Sequence, residues 1–439
     1  MSEKIKKLIL FYFKFCCKLI LKLKKPFIIS ITGSAGKTTT KEIIFYILEK
    51  YQKNFPNEFK EGLKNLNIKV DDERKIIFKN HESLNNEFGI PFTLFLCQFR
   101  PGKNVWKWLR IFLMSILVFF KKYPKILVLE LGVERPGDMK FFMDFIKPDI
   151  GIFTILGEYP AHLGFFQKKE DVAKEKGIMI ENVKESGFSI LNFDDNLIKE
   201  FKEKTKSKVF GFGKCEECDI KILGEGNYCF FGENLKVKVK PYDDFGIYFD
   251  LPIACSLGIL KIFNAPKEIL NYFDDFKPLA GRLRIFDFQL KNKKIYIFDD
   301  TYNASPASYF HILNLAKNLK GKKLGVFADL LEVDNFAKEI HEKILKEINE
   351  IFDLVFLIGP RMKFFSSNLI KIPHFIFQDP EYEKIYINLE KLIENFNFIF
   401  IKGARAFHLE NLVKKFGIKD VVNCFCEYKK DFHNYKFSP

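Results

Sequence analysis

Apolar positions along the chain fall into short unbroken runs, separated by stretches with helical spacing. Phe27-Ile28-Ile29 is one such run, and Lys41–Lys50 follows with apolar residues three and four positions apart. Ile126–Leu131, Ile150–Ile155 and Ser189–Asn192 are further runs, and residues 170–186 have helical spacing. Runs this short and this apolar predict strands buried on both faces. Their alternation with helices predicts an α/β fold whose mostly parallel sheet carries ligands at the C-terminal strand ends. Residues 207–250 break into short strands and turns, which predicts an antiparallel edge region. From about residue 280 the pattern restarts with Ile295–Asp299, Leu324–Ala328, Leu354–Ile358 and Phe398–Ile401. That predicts a second, Rossmann-like α/β domain with its own core. The expected divisions are an N-terminal helix over 1–26, a central domain over 27–279 and a C-terminal domain over 280–439.

Two segments depart from this alternation. Residues 4–25 are apolar but carry Lys7, Lys14, Lys18, Lys22 and Lys25. At about 100° per residue the five lysines fall on one stripe, opposite Ile9, Phe13 and Ile20. The segment has too many lysines to span a bilayer, and no small-residue cleavage site follows to make it a signal peptide. It reads as a cationic amphipathic helix, either lying on a membrane surface or packed on the domain by its apolar face. The insertion at 105–122 places Trp106, Lys107, Trp108 and Arg110 before Ile111–Phe120 and closes with Lys121-Lys122. It suits an interfacial segment or a buried helix. Together the two segments could make one peripheral membrane contact, at the inner face of the cytoplasmic membrane.

Composition narrows the classes. The 439 residues suffice for two or three domains, and 47% hydrophobic with 29% charged residues excludes a disordered chain. The formal charge of +15 comes mostly from lysines spread along the whole chain, beside 53 Phe. No arginine-rich groove or localised aromatic–basic interleaving accompanies it, so the charge reads as solvated lysine faces and not as a nucleic-acid site. Nine scattered cysteines, an odd number, predict reduced thiols in a cytoplasmic protein. Cys215-Glu216-Glu217-Cys218 is a lone C-x-x-C with no second pair at zinc-site spacing.

The strongest chemical signal is Thr32-Gly33-Ser34-Ala35-Gly36-Lys37-Thr38-Thr39-Thr40, set between the first strand and the first periodic helix. Strand, glycine turn and helix form the context of a phosphate-binding loop. Gly33 and Gly36 let backbone N–H groups close on a polyphosphate, and the helix start adds positive potential. Lys37 is placed to reach the β/γ-phosphates and Thr38 to hold Mg²⁺. The usual early glycine of such loops is replaced here by Ile31. Glu130, closing an apolar strand, suits a metal ligand, since a buried carboxylate needs a cation.

Further segments follow in a fixed order. They are Leu84-Asn85-Asn86-Glu87-Phe88-Gly89-Ile90-Pro91, Glu130-Leu131-Gly132 with Pro136-Gly137-Asp138, Ala161-His162-Leu163, and Ala173-Lys174-Glu175-Lys176-Gly177. Gly281-Arg282, Asp300-Thr301-Tyr302-Asn303-Ala304-Ser305-Pro306 and Lys402-Gly403-Ala404-Arg405 complete the series. Over roughly residues 27–415 the chain resembles the Mur ligase family of ATP-dependent amide-bond synthetases. It is most similar to the branch that joins D-alanyl-D-alanine to a UDP-N-acetylmuramoyl-tripeptide in peptidoglycan precursor synthesis. The resemblance implies ATP and Mg²⁺, a UDP-muramyl peptide and D-Ala-D-Ala as small-molecule substrates, and a reaction through an acyl phosphate. It also implies ATP contacts at Gly33, Ser34, Ala35, Gly36, Lys37, Thr38, Thr39, Arg282, Asp300 and Asn303. Metal contacts fall at Thr38, Glu130 and His162, and substrate contacts at Asn85, Asn86, Tyr302, Lys402 and Arg405. Lys37, Lys176 and His162 take the catalytic roles, with Lys176 matching a lysine that the family carbamoylates.

The sequence departs from that family in three places. Only about 26 lysine-rich residues precede the first strand, where the family has a domain that grips the UDP moiety. No Gly-x-His-Asn segment precedes the hinge; Leu251–Leu257 contains neither His nor Asn. Ile178 stands where the tripeptide ligase has Glu. Two alternatives therefore stay open: a related ligase with another carboxylate and amine, and a membrane-associated nucleotide-binding scaffold without ligase activity.

Overall fold

The computed structural model describes residues 3–69, 76–81, 84–160, 163–240, 242–245, 249–291, 293–331, 333 and 336–421. They form two compact units, one ending at Phe276 and one beginning at Lys277.

The first unit is built on a nine-stranded sheet. Its strands are β1 (Phe27–Thr32), β2 (Ile77–Lys79), β3 (Ile126–Glu130), β4 (Ile150–Phe153), β5 (Phe188–Asn192), β6 (Lys208–Gly213), β7 (Ile220–Gly224), β8 (Asn227–Phe230) and β9 (Glu233–Lys236). Their order is β2-β3-β1-β4-β5-β6-β7-β8-β9, parallel as far as β7 and antiparallel over the last two pairings. The expected antiparallel edge over 207–250 is therefore corrected in part: β6 and β7 continue the parallel sheet. Strand β1 is buried along its whole length, as a central strand flanked on both edges must be. The helix Lys37–Asn54 packs its Ile43, Ile44, Ile47, Leu48 and Tyr51 into the core. Because β1 sits between β3 and β4, the chain leaves it toward one edge and later returns on the other side. That reversal is the switch point at which open α/β sheets hold ligands. Ile31 is in register with Glu130, so β1 and β3 end at the same level.

The N-terminal helix Glu3–Lys24 and the helix Val105–Leu117 lie against each other. The Tyr12 hydroxyl meets Ser115 Oγ at 2.9 Å, Phe13 packs on Phe112, and Lys24 Nζ donates to the carbonyls of Phe119 and Lys121. Phe13 and Ile20 are fully buried, so of the two readings of this apolar face the structure shows packing on the domain. Lys14 leaves the lysine stripe and pairs with Asp144. Among the described residues no helix is long and apolar enough to cross a membrane. The Cys215 and Cys218 sulfurs are bonded as a disulfide, where the sequence predicts reduced thiols. Cys16, Cys17, Cys97, Cys229 and Cys255 are free.

The second unit has a six-stranded sheet of β10 (Arg284–Leu290), β11 (Lys293–Asp300), β12 (Lys323–Ala328), β13 (Leu354–Ile358), β14 (His374–Phe377) and β15 (Phe398–Lys402). The order is β10-β11-β15-β12-β13-β14, antiparallel only between β10 and β11. The strand β10, absent from the sequence reading, alternates half-buried and exposed positions and so lacks the apolar run that marks its neighbours. In both units a parallel sheet is flanked by helices, the expected α/β class.

Candidate active site

The loop between β1 and the helix Lys37–Asn54 is held by the sheet. Ser34 N donates to the Ile155 carbonyl at 2.6 Å, and the Thr154 hydroxyl donates to the carbonyls of Thr32 and Ala35. A Cβ at Gly33 would come 2.1 Å from the Thr154 hydroxyl oxygen, so only glycine fits there. Gly36 has φ 78°, a left-handed conformation that glycine adopts at little cost. No side chain caps the helix that starts at Lys37. Its first-turn N–H groups are thus presented to an anion. Lys37 folds back over the loop, its Nζ 2.8 Å from the Gly33 carbonyl. Thr39 is half-buried, and the Ser34 and Thr40 hydroxyls are buried without hydrogen-bond partners among the described residues.

Beside the loop lies a closed polar cluster around Glu130, which is 2% exposed. Thr38 Oγ1 donates to Glu130 Oε2 at 2.9 Å, and Asn85 Nδ2 donates to Oε1 at 3.1 Å. The Lys41 ammonium, fully buried one helical turn on, lies 3.5 Å from Glu130 Oε2 and 3.5 Å from Glu42 Oε1, and donates to the Asn80 carbonyl. Asn80 accepts from Glu130 N and donates to the carbonyls of Glu130 and Leu84. A carboxylate and a hydroxyl at the switch point, set against an anion-ready loop, are hard oxygen donors that fit a magnesium–polyphosphate. Lys41 and Asn80 escaped the sequence reading. Lys41 is adjacent to the loop but carries no pattern of its own, and Asn80 lies far from it in sequence. Asn86 Oδ1 accepts from Gly89 N at the start of the helix Gly89–Leu94, while Asn85 joins the Glu130 cluster.

Lys176 is 1% exposed on the helix Lys169–Glu181. Burial, reinforced by the nearby Lys37 ammonium, holds its amine well below the ordinary lysine range despite Glu175 and Asp138. Glu175 caps the helix beginning at Asp138 by accepting from Met139 N at 2.8 Å. His162 lies outside the described residues.

The remaining predicted residues belong to the second unit and meet one another there. Tyr302 lies between two guanidinium groups, Arg282 at 4.1 Å and Arg405 at 4.8 Å from its ring centre. Lys402 is fully buried, with its Nζ on Asp300 Oδ2 at 2.5 Å and on the Asn303 carbonyl at 3.2 Å. Asp300 Oδ1 accepts from Leu283 N at 3.2 Å. The Lys402 amine thereby ties Asp300 and Asn303 together, with burial lowering its pKa and Asp300 opposing that.

Comparison with known proteins places this geometry. The Mur ligase middle-domain profile matches residues 110–253. A UDP-N-acetylmuramoyl-tripeptide–D-alanyl-D-alanine ligase of Buchnera aphidicola (Baizongia pistaciae) is 28% identical, over 88% of this chain and 75% of its own length. The ligase of the same name from Bacillus subtilis is 24% identical, over 88% and 75%. The crystal structure of MurF ligase from Thermotoga maritima in complex with ADP superposes with a TM-score of 0.70 at 25% identity, covering 93% of this chain and 83% of that one. The FolC protein of E. coli shares the fold at a TM-score of 0.59 and 13% identity, covering 92% and 93%. A phosphate-loop cradle beside a buried Thr38–Glu130 pair thus lies in a chain that is similar to ATP-dependent ligases of this kind over most of its length and that matches the Mur ligase middle domain over residues 110–253.

Proposed function

We propose that this chain joins D-alanyl-D-alanine to a UDP-N-acetylmuramoyl-tripeptide during peptidoglycan precursor synthesis, in the cytoplasm. The observation that carries the reading is the uncapped helix start at Lys37, facing the Thr38–Glu130 pair. The first-turn N–H groups and Lys37 bind the phosphates of ATP, and Lys37 follows the γ-phosphoryl group as charge develops on it. Thr38 and Glu130 would hold a Mg²⁺, which would supply charge neutralisation to the phosphates. The substrate carboxylate takes the γ-phosphoryl group, giving an acyl phosphate and ADP. The dipeptide amine then attacks the acyl carbon, forms the amide and expels phosphate. Asn85 fixes the Glu130 carboxylate, and Lys41 lies beside it as a buried counter-charge. Arg282, Tyr302 and Arg405 form the nucleotide- and substrate-facing cluster of the second unit, braced by Asp300, Asn303 and Lys402.

Lys176 acts as a carbamate in this reading. Its support is a buried amine whose charged form is disfavoured, since the neutral amine is the form that attacks carbon dioxide. Loss of one proton from nitrogen then leaves an anion in place of a cation. Phosphate release from ATP tests the function: it should require both a UDP-muramyl tripeptide and D-Ala-D-Ala. Release driven by another precursor and amine pair would reassign the substrate, and no release with any pair would reject the ligase reading.

A further inference from the structure

The N-terminal helix has three faces, not two. One is buried, with Phe13, Cys16, Cys17 and Ile20 packed inward. Going round the helix, a second face turns Leu8, Phe11, Phe15 and Leu19 to solvent, with Leu8 69% and Phe11 72% exposed. The third carries Lys7, Lys18, Lys22 and Lys25, which make no ion pair among the described residues. The helix Val105–Leu117 repeats the scheme. Ile111 and Ser115 are buried, Trp106, Leu109, Leu113 and Ile116 are exposed, and Lys107 and Arg110 lie beyond them. Trp106 is 80% exposed, and Phe120 just after the helix is 85% exposed.

The two helices meet along the Tyr12–Ser115 and Tyr12–Phe112 contacts. At about 100° per residue, Tyr12 borders the exposed apolar face of the first helix and Phe112 that of the second. The apolar faces therefore join across the seam. The result is one band with lysines along one margin, Lys107 and Arg110 along the other, and Trp106 and Phe120 at the ends of the second helix. Monomeric proteins rarely leave a contiguous apolar surface of this kind in water.

We infer that this band is a docking surface for the anionic headgroup layer of a lipid bilayer. Its charged frame decides between a bilayer and a second copy of the chain. Residues 4–25 and 101–125 contain no acidic residue, so a self-complementary contact would bring the cationic margins together with no carboxylate from these segments to receive them. An anionic bilayer offers charge to every margin lysine and hydrocarbon to the band between them. Indole and lysine at the edges suit the headgroup depth. None of the band's residues belongs to the nucleotide loop or to the polar cluster around Glu130, so this inference and the ligase reading are tested separately.

The test is flotation of the full chain with vesicles of phosphatidylglycerol or of phosphatidylcholine at low salt. The protein should float with the phosphatidylglycerol vesicles, and its tryptophan emission should move to shorter wavelength. Binding should weaken as salt is added. Phe11→Ser with Leu109→Ser, and separately Lys18→Glu with Lys22→Glu, should each lower the partition at least tenfold. Unchanged thermal midpoints for both variants would show that the fold survives. Wild-type protein left in the dense fraction with phosphatidylglycerol, or variants that bind as wild type does, would overturn the inference. A concentration-dependent dimer dissolved by Phe11→Ser with Leu109→Ser, in protein that ignores vesicles, would assign the band to a second copy instead.

Discussion

The Thr38 hydroxyl donates to the Glu130 carboxylate across 2.9 Å, linking the first turn of the loop helix to the end of β3. The same carboxylate oxygen lies 3.5 Å from the buried Lys41 ammonium. One carboxylate thus serves a candidate metal position and the local charge balance, and two substitutions separate these duties. Thr38→Ala should abolish most turnover with little change in unfolding midpoint. Glu130→Ala should abolish turnover and also destabilise the unit by roughly 3 kcal/mol or more, because Lys41 loses a buried counter-charge. Calorimetry and phosphate release on both variants check this; a Glu130→Ala protein as stable as Thr38→Ala would show that Glu42 suffices for Lys41.

Lys37 folds over its own loop, its ammonium donating to the Gly33 carbonyl. Lys37→Ala should leave the fold intact and lower kcat by roughly a hundredfold or more, the usual effect of removing one preorganised charge. Steady-state kinetics at saturating ATP measure it, and near wild-type turnover would remove Lys37 from the reaction.

Lys176→Ala should be inactive and should regain part of its activity when short carboxylates are added, since these replace the carbamate oxygens. Full activity of the unsupplemented variant would dismiss the carbamate. Mass spectrometry of intact protein under labelled bicarbonate, after chemical trapping, reads the modification directly.

Acid stability of the second unit provides a fourth expectation. His341 is fully buried between the Leu330 N–H and the Ala337 carbonyl, and burial lowers its pKa to about 4. Between about 4 and 6.5 the unfolded chain holds a proton that the native imidazole lacks. This group therefore adds stability as pH rises through that window and loses it as pH falls. Asp329 and Asp299, pushed up by burial to about 7 and about 6, act with opposite sign, favouring the folded state toward lower pH. His341→Gln should remove that contribution, tilting the stability profile downward with rising pH by up to about 1.4 kcal/mol per pH unit relative to wild type. Urea unfolding across that window measures the tilt, and parallel profiles would show that His341 does not titrate differently in the two states.

Local pattern carried much of this architecture. The glycine spacing, the apolar run before it and the periodic helix after it placed the phosphate loop, because each depends on neighbours within a few residues. Unbroken apolar runs marked most of the parallel strands in both units, since burial on both faces leaves a signature in the strand itself. Tertiary structure alone decided the rest. Lys41 and Asn80 become partners of Glu130 only when β3 lies beside β1 in register, a pairing that spans about a hundred residues and leaves no periodic trace. The half-exposed β10 has no apolar run to betray it. The N-terminal helix shows the limit most clearly. Its lysine stripe was legible, yet which apolar side chains turn inward was not. Phe13 and Phe11 are chemically identical, and only packing against Phe88, Phe92, Phe95 and Phe112 buries one and leaves the other in water.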